Sequence, residues 1–221
     1  PEEIDLLLNQ AQDKFVKQRY GINNIKRESF EQTQKRTEDL KELIENVRLT
    51  QIQPATIQNY SNNSFFCQLP TNHWFTIEES AILNCTTCNT TIKLPVYDIG
   101  SFEQPPSFIT INGIIVEVRP VTHLEINKII NDAFKGPDKT KILRLMYKNY
   151  AEVILPDDCT LTYYIIRYIR EPNRMDFVNG ITCELSEHTH QEILDIAIDI
   201  ALEGIEAKRQ QTFPKILNTD E

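Results

Sequence analysis

The most strongly patterned stretch of the chain covers residues 181–211. It begins as a predicted short strand, residues 181–185, and continues as a long predicted helix after Ser186, a residue type that favours helix N-caps. At about 100° per residue, apolar side chains fill most of the circumference of this helix. The rest is one narrow acidic stripe, made of Glu192, Asp195, Asp199, Glu203 and Glu206. A helix with this pattern is buried on more than one side, so we expect two separate apolar contacts.

One of these contacts lies inside the fold, and the second is either with another helix of the same core or with a neighbouring subunit. The pattern does not decide between these alternatives, nor which side of the helix faces which partner. The candidate interface residues are Ile193, Leu194, Ile198, Ala201, Leu202 and Ile205.

Helical periodicity also marks the start of the chain. Apolar residues recur every three or four positions over residues 2–20, and Gly21 is a plausible helix stop. A second helix is predicted to begin at a capping box formed by Ser29 and Gln32 and to continue through Val47. We interpret residues 1–52 as an N-terminal helical arm and residues 53–221 as an α+β body, with a polar linker over residues 51–63.

Short runs of aromatic and β-branched residues indicate a β-rich body. Strands are predicted at residues 65–69, 74–83, 91–97, 108–111, 114–119, 141–147, 152–155 and 161–170. Asn112-Gly113 predicts a tight hairpin between the fourth and fifth of these. Thr122 and Glu125 form a second capping box, which predicts a short helix to residue 133. The predicted class is therefore α+β: a mostly antiparallel β body packed with a long C-terminal helix, preceded by the N-terminal arm.

Composition narrows the function classes. The chain has 221 residues, 40% hydrophobic and 25% charged, which are ordinary globular values. A net charge of −9 argues against a protein that grips nucleic-acid phosphates, although DNA can still slide past such a surface. Five cysteines, an odd number, do not predict a disulfide framework and favour folding in a reducing cytoplasm. No apolar run approaches the length of a membrane span.

Candidate chemistry is sparse. Cys85 and Cys88 have a zinc-like spacing, and Cys67 and His73 are the nearby residues that could complete a site. No convincing fourth ligand accompanies them, so we expect no bound metal and no other cofactor. His188 and His190 face different directions on a helix and make a poor metal pair. No phosphate loop or nucleophile motif is present, and the chain is not expected to be an enzyme.

Three stretches in the C-terminal half stand out together: PVTHLEINKIINDAFKGP with the following KILRL (residues 120–145), LPDDCTLTYYIIRYIREP (155–172) and CELSEHTHQEILDIAIDIALEGIE (183–206). In this order they resemble the ring and connector proteins of the neck and tail in crAss-like bacteriophages.

The resemblance implies a virion structural protein, assembled in the host bacterial cytoplasm as a ring of about twelve copies. Such rings lie between the portal and the tail, contact other ring and tail proteins, and let DNA and cargo proteins pass without specific binding. The resemblance implies no catalytic residues.

The residues themselves leave two other functions open: a phage-encoded binding module, such as a cargo protein or chaperone outside a ring, or a small zinc-binding protein.

Overall fold

The computed structural model describes residues 2–21, 34–49, 51–52, 61, 63–86, 90–96, 107–132 and 134–217. Its helices are α1 (Glu2–Tyr20), α2 (Gln34–Leu40), α3 (Ile126–Ile129) and α4 (His190–Leu217). Its strands are β1 (Ile44–Leu49), β2 (Gln51–Ile52), β3 (Ser64–Gln68), β4 (His73–Cys85), β5 (Thr91–Val96), β6 (Ser107–Asn112), β7 (Ile114–Pro120), β8 (Lys141–Met146), β9 (Tyr150–Ile154) and β10 (Cys159–Arg170). The predicted α+β class is confirmed.

The chain divides into two compact units. Unit one consists of residues 1–45 and 169–221, and unit two of residues 46–168. Within unit one, α1 packs against both α4 and α2. The long C-terminal helix therefore shares a unit with the N-terminal helices.

Helix α1 has the bounds that its periodicity predicts. Ala11, Phe15 and Val16 are fully buried on one side of the helix. The helix ends before Gly21, whose N–H donates to the carbonyl oxygen of Lys17 at 2.7 Å. A Cβ atom at Gly21 would lie only 2.6 Å from that oxygen, so glycine fits this stop where a larger residue would not. None of the helices in the described ranges combines the length and the apolar composition needed to cross a membrane.

Among the described residues, the main sheet has eight strands in the order β1-β10-β4-β7-β8-β9-β3-β2, and β5 and β6 form a separate antiparallel pair. The pairs β2–β3, β3–β9, β4–β7 and β8–β9 are antiparallel. Strands β7 and β8 are parallel, with Glu117 opposite Lys141. Parallel neighbours need a crossover connection, and the segment that contains α3 provides it.

Strand β10 supplies much of the core of the sheet. Tyr164, Ile166 and Tyr168 are almost fully buried, so these residues belong to the core of the sheet. Each buried tyrosine hydroxyl has a partner, as such groups require. Tyr164 donates to Oε1 of Glu79 at 2.5 Å, and Tyr168 donates to Oδ1 of Asn72 at 3.0 Å.

The hairpin predicted at Asn112-Gly113 is wrong. Strand β6 pairs with β5, whereas β7 pairs with β4 and β8, so the chain passes from one sheet to another at this point. Gly113 is needed for a different reason: a Cβ atom there would lie 2.6 Å from the carbonyl oxygen of Leu83 on β4. Pairing with distant strands has overridden the local turn preference.

The second predicted helix is too long at its C-terminal end. Its capping box at Ser29 and Gln32 lies outside the described residues. Helix α2 ends at Leu40, a 3-10 turn follows at Lys41–Leu43, and Ile44–Leu49 form β1, with Val47 packed on the sheet core. Residues 51–52, predicted as linker, pair with β3 as β2; residues 53–60 of the predicted linker are outside the described ranges.

The capping box at Thr122 is also wrong. Helix α3 has Glu125 at its N-cap position, with no side-chain cap, and only four residues. Thr122 instead contributes its carbonyl oxygen, which accepts from the N–H groups of Glu125 and Ile126, both at 3.1 Å. Ile126 and its apolar neighbours pack in a small separate core cluster, so packing rather than a side-chain cap holds this turn.

Candidate assembly surfaces

Helix α4 carries three stripes with different environments. The buried stripe contains Ile193 and Ala197, which are almost fully covered, with Ile196 and Ile200 half-buried beside them. The apolar stripe consists of Leu194, Ile198, Leu202 and Ile205, which are 45%, 49%, 52% and 55% exposed. The acidic stripe contains Asp195, Asp199 and Glu203, all exposed. The helix therefore has two apolar sides, and within the described part of the structure only the side that contains Ile193 and Ala197 is covered.

The six predicted interface residues fall on both apolar sides. Ile193 is only 2% exposed, so it belongs to the interior of unit one. Four of the others form the apolar stripe, and Ala201 is half-buried between that stripe and the buried one. The spacing from Leu194 to Ile205 corresponds to a ridge about 17 Å long on the helix surface.

The N-terminal end of α4 is anchored by a buried carboxylate. Asp39, only 1% exposed, accepts from Nε of Arg19 at 2.7 Å and contacts Nε2 of His188 at 2.8 Å. Arg19 also donates to Glu192 at 2.5 Å, so one guanidinium connects α1 to both α2 and α4. Buried charges are stable only when they are paired in this way. The network fixes the start of α4 against α1 and α2.

Glu192 therefore pairs with Arg19 of the same chain. The other described members of the predicted acidic stripe, Asp195, Asp199 and Glu203, are exposed. The side chain of Glu206 lies outside the described part of the structure.

His188 and His190 have different partners, since Nε2 of His190 contacts the carbonyl oxygen of Leu185 at 2.8 Å. Ser186 precedes the 3-10 turn Glu187–Thr189, but its hydroxyl makes no cap and accepts no hydrogen bond; its carbonyl oxygen accepts from Thr189.

The segment before α4 forms a hairpin instead of the strand predicted at residues 181–185. Asp176 and Ile181 exchange two backbone hydrogen bonds, of 3.0 and 2.9 Å, and the turn between them contains Gly180 at a φ of 69°. At its end, Phe177 is 80% exposed and Val178 is 72% exposed. We call these two residues the apolar tip. Residues 182–185 run as an irregular segment into the 3-10 turn.

Hydrogen bonds to Asp176 and Asp5 hold the turn that carries the apolar tip. Oδ1 of Asp176 accepts from the N–H groups of Val178 and Asn179 at 2.9 and 3.0 Å. The backbone hydrogen bond from Asn179, and then the one from its side chain, lower the pKa of Asp176 against the smaller opposing effect of burial. The N–H of Phe177 donates to Oδ1 of Asp5 on α1 at 3.2 Å. The turn is thereby fastened to itself and to the first turns of α1.

A second charged cluster holds the base of the hairpin. Glu184 accepts from both terminal nitrogens of Arg170, each at 2.8 Å, and from the backbone and side chain of Asn173 at 2.7 and 2.9 Å. Burial by itself would raise the pKa of Glu184, but the hydrogen bonds from Arg170 and Asn173 outweigh it and the pKa is lowered. Arg170 also pairs with Glu45 at 3.1 Å, so it serves as a structural cross-link.

The three metal candidates that the structure describes, Cys67, His73 and Cys85, do not meet as a site. Cys85 is joined to Cys159 by a disulfide with an S–S distance of 1.98 Å, contrary to the expectation from the cysteine count. Burial raises the pKa of Cys67 to about 12, which disfavours the thiolate that a metal needs. His73 contacts Oγ1 of Thr76 at 3.0 Å, and Cys88 is outside the described residues. In the described ranges, no three potential ligands cluster.

A buried ion pair of unit two is structural as well. Arg144 donates to Oε2 of Glu79 from Nε at 3.2 Å and from Nη2 at 2.7 Å, while Tyr164 occupies the other carboxylate oxygen. Burial, then the charge of Glu79, raises the pKa of Tyr164, so the phenol remains a donor. This saturated cluster connects β4, β8 and β10.

The exposed hydrophobic surface could have been found only in part from the sequence. The two apolar sides of α4 follow from its periodicity, but the apolar tip was missed. Its signal is the segment Asp176-Phe177-Val178-Asn179-Gly180, in which two large apolar residues stand between turn-forming residues.

Comparison with known proteins agrees with the resemblance seen in the sequence. The model of the phage tail ring protein 3/4 family matches residues 2–99 and 94–213. Ring protein 3 of Bacteroides phage crAss001 is 27% identical over 214 residues, which cover 90% of this chain and 83% of that protein. The matches include both units, and therefore α4 together with the sheet.

Proposed function

Because the chain belongs to the phage tail ring protein 3/4 family, we propose that it is a structural subunit that joins its neighbours in a ring through the apolar stripe of α4. The observation that carries this proposal is the pair of apolar sides on one anchored helix. Ile193 and Ala197 are covered by the chain itself, whereas Leu194, Ile198, Leu202 and Ile205 are each about half exposed.

The exposed stripe has the character of an interface centre. Four large aliphatic side chains in one row form a patch of a few hundred Å², comparable to the largest patch on a typical monomer. A stable interface buries about 800 Å² on each partner, so the stripe is the centre of a contact that extends to other residues. Covering it removes apolar surface from water, which is the main driving force of association.

The finer role is that of a head-to-tail connector of about twelve copies between the portal and the tail, assembled in the host cytoplasm and carried in the virion. DNA and cargo proteins pass through its channel during ejection. Asp195, Asp199 and Glu203 support a position of the acidic stripe along this channel, because negative charge repels phosphate and lets DNA slide. The net charge of −9 agrees with this role.

Matched substitutions on α4 test the proposal. Sedimentation velocity and native mass spectrometry of the parent should show a large closed species, and its mass gives the copy number. Ile198→Glu should remain folded by circular dichroism and lose this species. Ile193→Glu should fail to fold, because an unpaired buried charge is expensive. Asp199→Asn, on the acidic stripe, is the control and should assemble like the parent.

Two results would contradict the proposal. If Ile198→Glu assembles as well as the parent, the apolar stripe is not at the subunit interface. If the parent stays monomeric at high concentration and does not copurify with other tail proteins, the chain does not form a ring through its own surfaces.

A further inference from the structure

We propose that the surface that covers the apolar stripe is the apolar tip of the neighbouring copy, so that Phe177 and Val178 of one subunit pack against Leu194, Ile198, Leu202 and Ile205 of the next. This inference rests on the proposed function and adds the second half of the contact. Phe177 and Val178 are not among the six interface residues predicted from the sequence.

A ring built from identical chains needs two different surfaces on every subunit. In a closed ring the contact is head-to-tail, so the patch on one side of a subunit must fit a different patch on the other side. The apolar stripe can supply only one of these. If it met itself in a neighbour, the contact would produce a two-fold dimer, and a further surface would still be needed to close a ring.

The apolar tip is the best second surface in unit one. Within the described residues of this unit, the exposed large apolar side chains are the stripe, the tip with Ile181, and Ile4 and Leu6, which flank the tip anchor Asp5 on α1. Turn positions normally hold polar residues, so two large apolar residues at the end of a turn need an explanation. A partner that covers Phe177 and Val178 provides one.

The way the tip is built favours insertion into another surface. The hydrogen bonds of Asp176 fix the turn, the N–H of Phe177 is held by Asp5, and Glu184 ties the hairpin base to Arg170. A hairpin that is already ordered loses little conformational entropy when it binds. Aromatic residues on such rigid supports are typical interface anchors.

The apolar stripe has a shape that can receive the apolar tip, and the charges around it favour contact at one of its edges. Leu194, Ile198 and Leu202 follow the i, i+4 row of a helix, which leaves a groove beside the ridge into which a projecting side chain fits. Leu202 borders the acidic stripe, whereas Ala201 borders the opposite edge. Because Asp5 and Asp176 accompany the tip, repulsion from Asp195 and Asp199 directs it towards the Ala201 edge, where a small side chain leaves room for the ring of Phe177.

Complementation between two defective subunits tests this arrangement. Phe177→Glu destroys the tip and leaves the stripe, and Ile198→Glu destroys the stripe and leaves the tip. Each variant alone should be folded and weakened in association by about 30-fold or more, the loss typical of an interface anchor. An equimolar mixture should form a species of two subunits, each of 25.7 kDa, because one good contact remains and the chain of contacts cannot continue.

Phe134→Glu is the matched control. Phe134 is 88% exposed and lies in unit two, so this substitution adds the same charge at an equally exposed aromatic residue and should leave ring formation unchanged. Sedimentation velocity measures the parent, the three single variants and the mixture, and circular dichroism confirms that each variant is folded.

The possible outcomes separate the inference from the proposed function. The two-subunit species in the mixture, with no larger species, supports the tip-to-stripe contact. If Phe177→Glu assembles like the parent while Ile198→Glu does not, the stripe has another partner, and the inference is overturned while the ring function stands. A parent, a Phe134→Glu control and a mixture that are all monomeric would overturn both.

Discussion

Adjacent apolar sides of α4 should respond very differently to the same truncation. Ile193 is 2% exposed and Ile198 is 49% exposed, yet both lie on one helix and differ by about one and a half turns. Changing each to Ala removes the same three carbon atoms. The comparison therefore isolates burial from residue type and from helix propensity.

The magnitude follows from the burial. Removing three fully buried carbons costs roughly 2.4 kcal/mol in transfer free energy at about 0.8 kcal/mol each. A cavity contribution adds to this, and the usual range for Ile→Ala in a core is about 2–5 kcal/mol. We expect Ile193→Ala to lower the free energy of unfolding by about 3 kcal/mol. Ile198→Ala should lower it by no more than about 1 kcal/mol, since half of its side chain is already in water.

Urea unfolding followed by circular dichroism at 222 nm is a suitable assay, because α1, α2 and α4 all lie in unit one. The protein must be dilute enough to be monomeric, because assembly would stabilise the folded state by mass action. With an m-value of about 2–3 kcal/mol/M, the midpoint for Ile193→Ala should fall by about 1 M or more. Equal losses for the two variants would refute the division of α4 into a covered and an open side.

Three further predictions concern the groups that hold the fold. Asp39→Ala should cost about 3 kcal/mol of unfolding free energy, because it removes the buried carboxylate and leaves Glu192 as the remaining ion-pair partner of the partly buried Arg19; a loss below 1 kcal/mol in urea unfolding would show that the network is not a significant anchor. The lowered pKa of Glu184 means that its ionised form stabilises the fold above its ordinary pKa of 4.5 and that this contribution is lost as the pH falls through the lower folded value. The stability difference between the parent and Glu184→Gln should therefore shrink below pH 4.5, and a difference that stays constant between pH 7 and pH 3 would contradict this. Under denaturing conditions, Cys85 and Cys159 should resist alkylation until a reductant is added, whereas labelling of both without reductant would show that they are thiols.

The sequence predicted those parts of the fold that depend on local periodicity. Helix α1 and most of the strands have nearly their predicted bounds, because alternation and three-to-four spacing report which face of an element is buried. The two apolar sides of α4 were also predicted from local periodicity. The family match confirmed the resemblance carried by the three C-terminal stretches.

The failures share a physical cause, which is contact between residues far apart in the chain. Asn112-Gly113 has a strong turn preference, but β7 gains more by pairing with β4, and the glycine admits the carbonyl of Leu83. Residues 44–47 continue a helical pattern, yet they join the sheet beside β10. Cysteine pairing across 74 positions cannot be deduced from a single sequence, and the two partners of Asp39, Arg19 and His188, lie 20 and 149 positions away in the chain.

Electron cryomicroscopy of the assembled ring, alone or within the virion, tests the central claim most directly. The account predicts a closed ring in which residues 194–205 of α4 are covered by a neighbouring copy, with Phe177 and Val178 of that copy at the contact. A ring in which this side of α4 faces solvent, while other surfaces join the subunits, would contradict it.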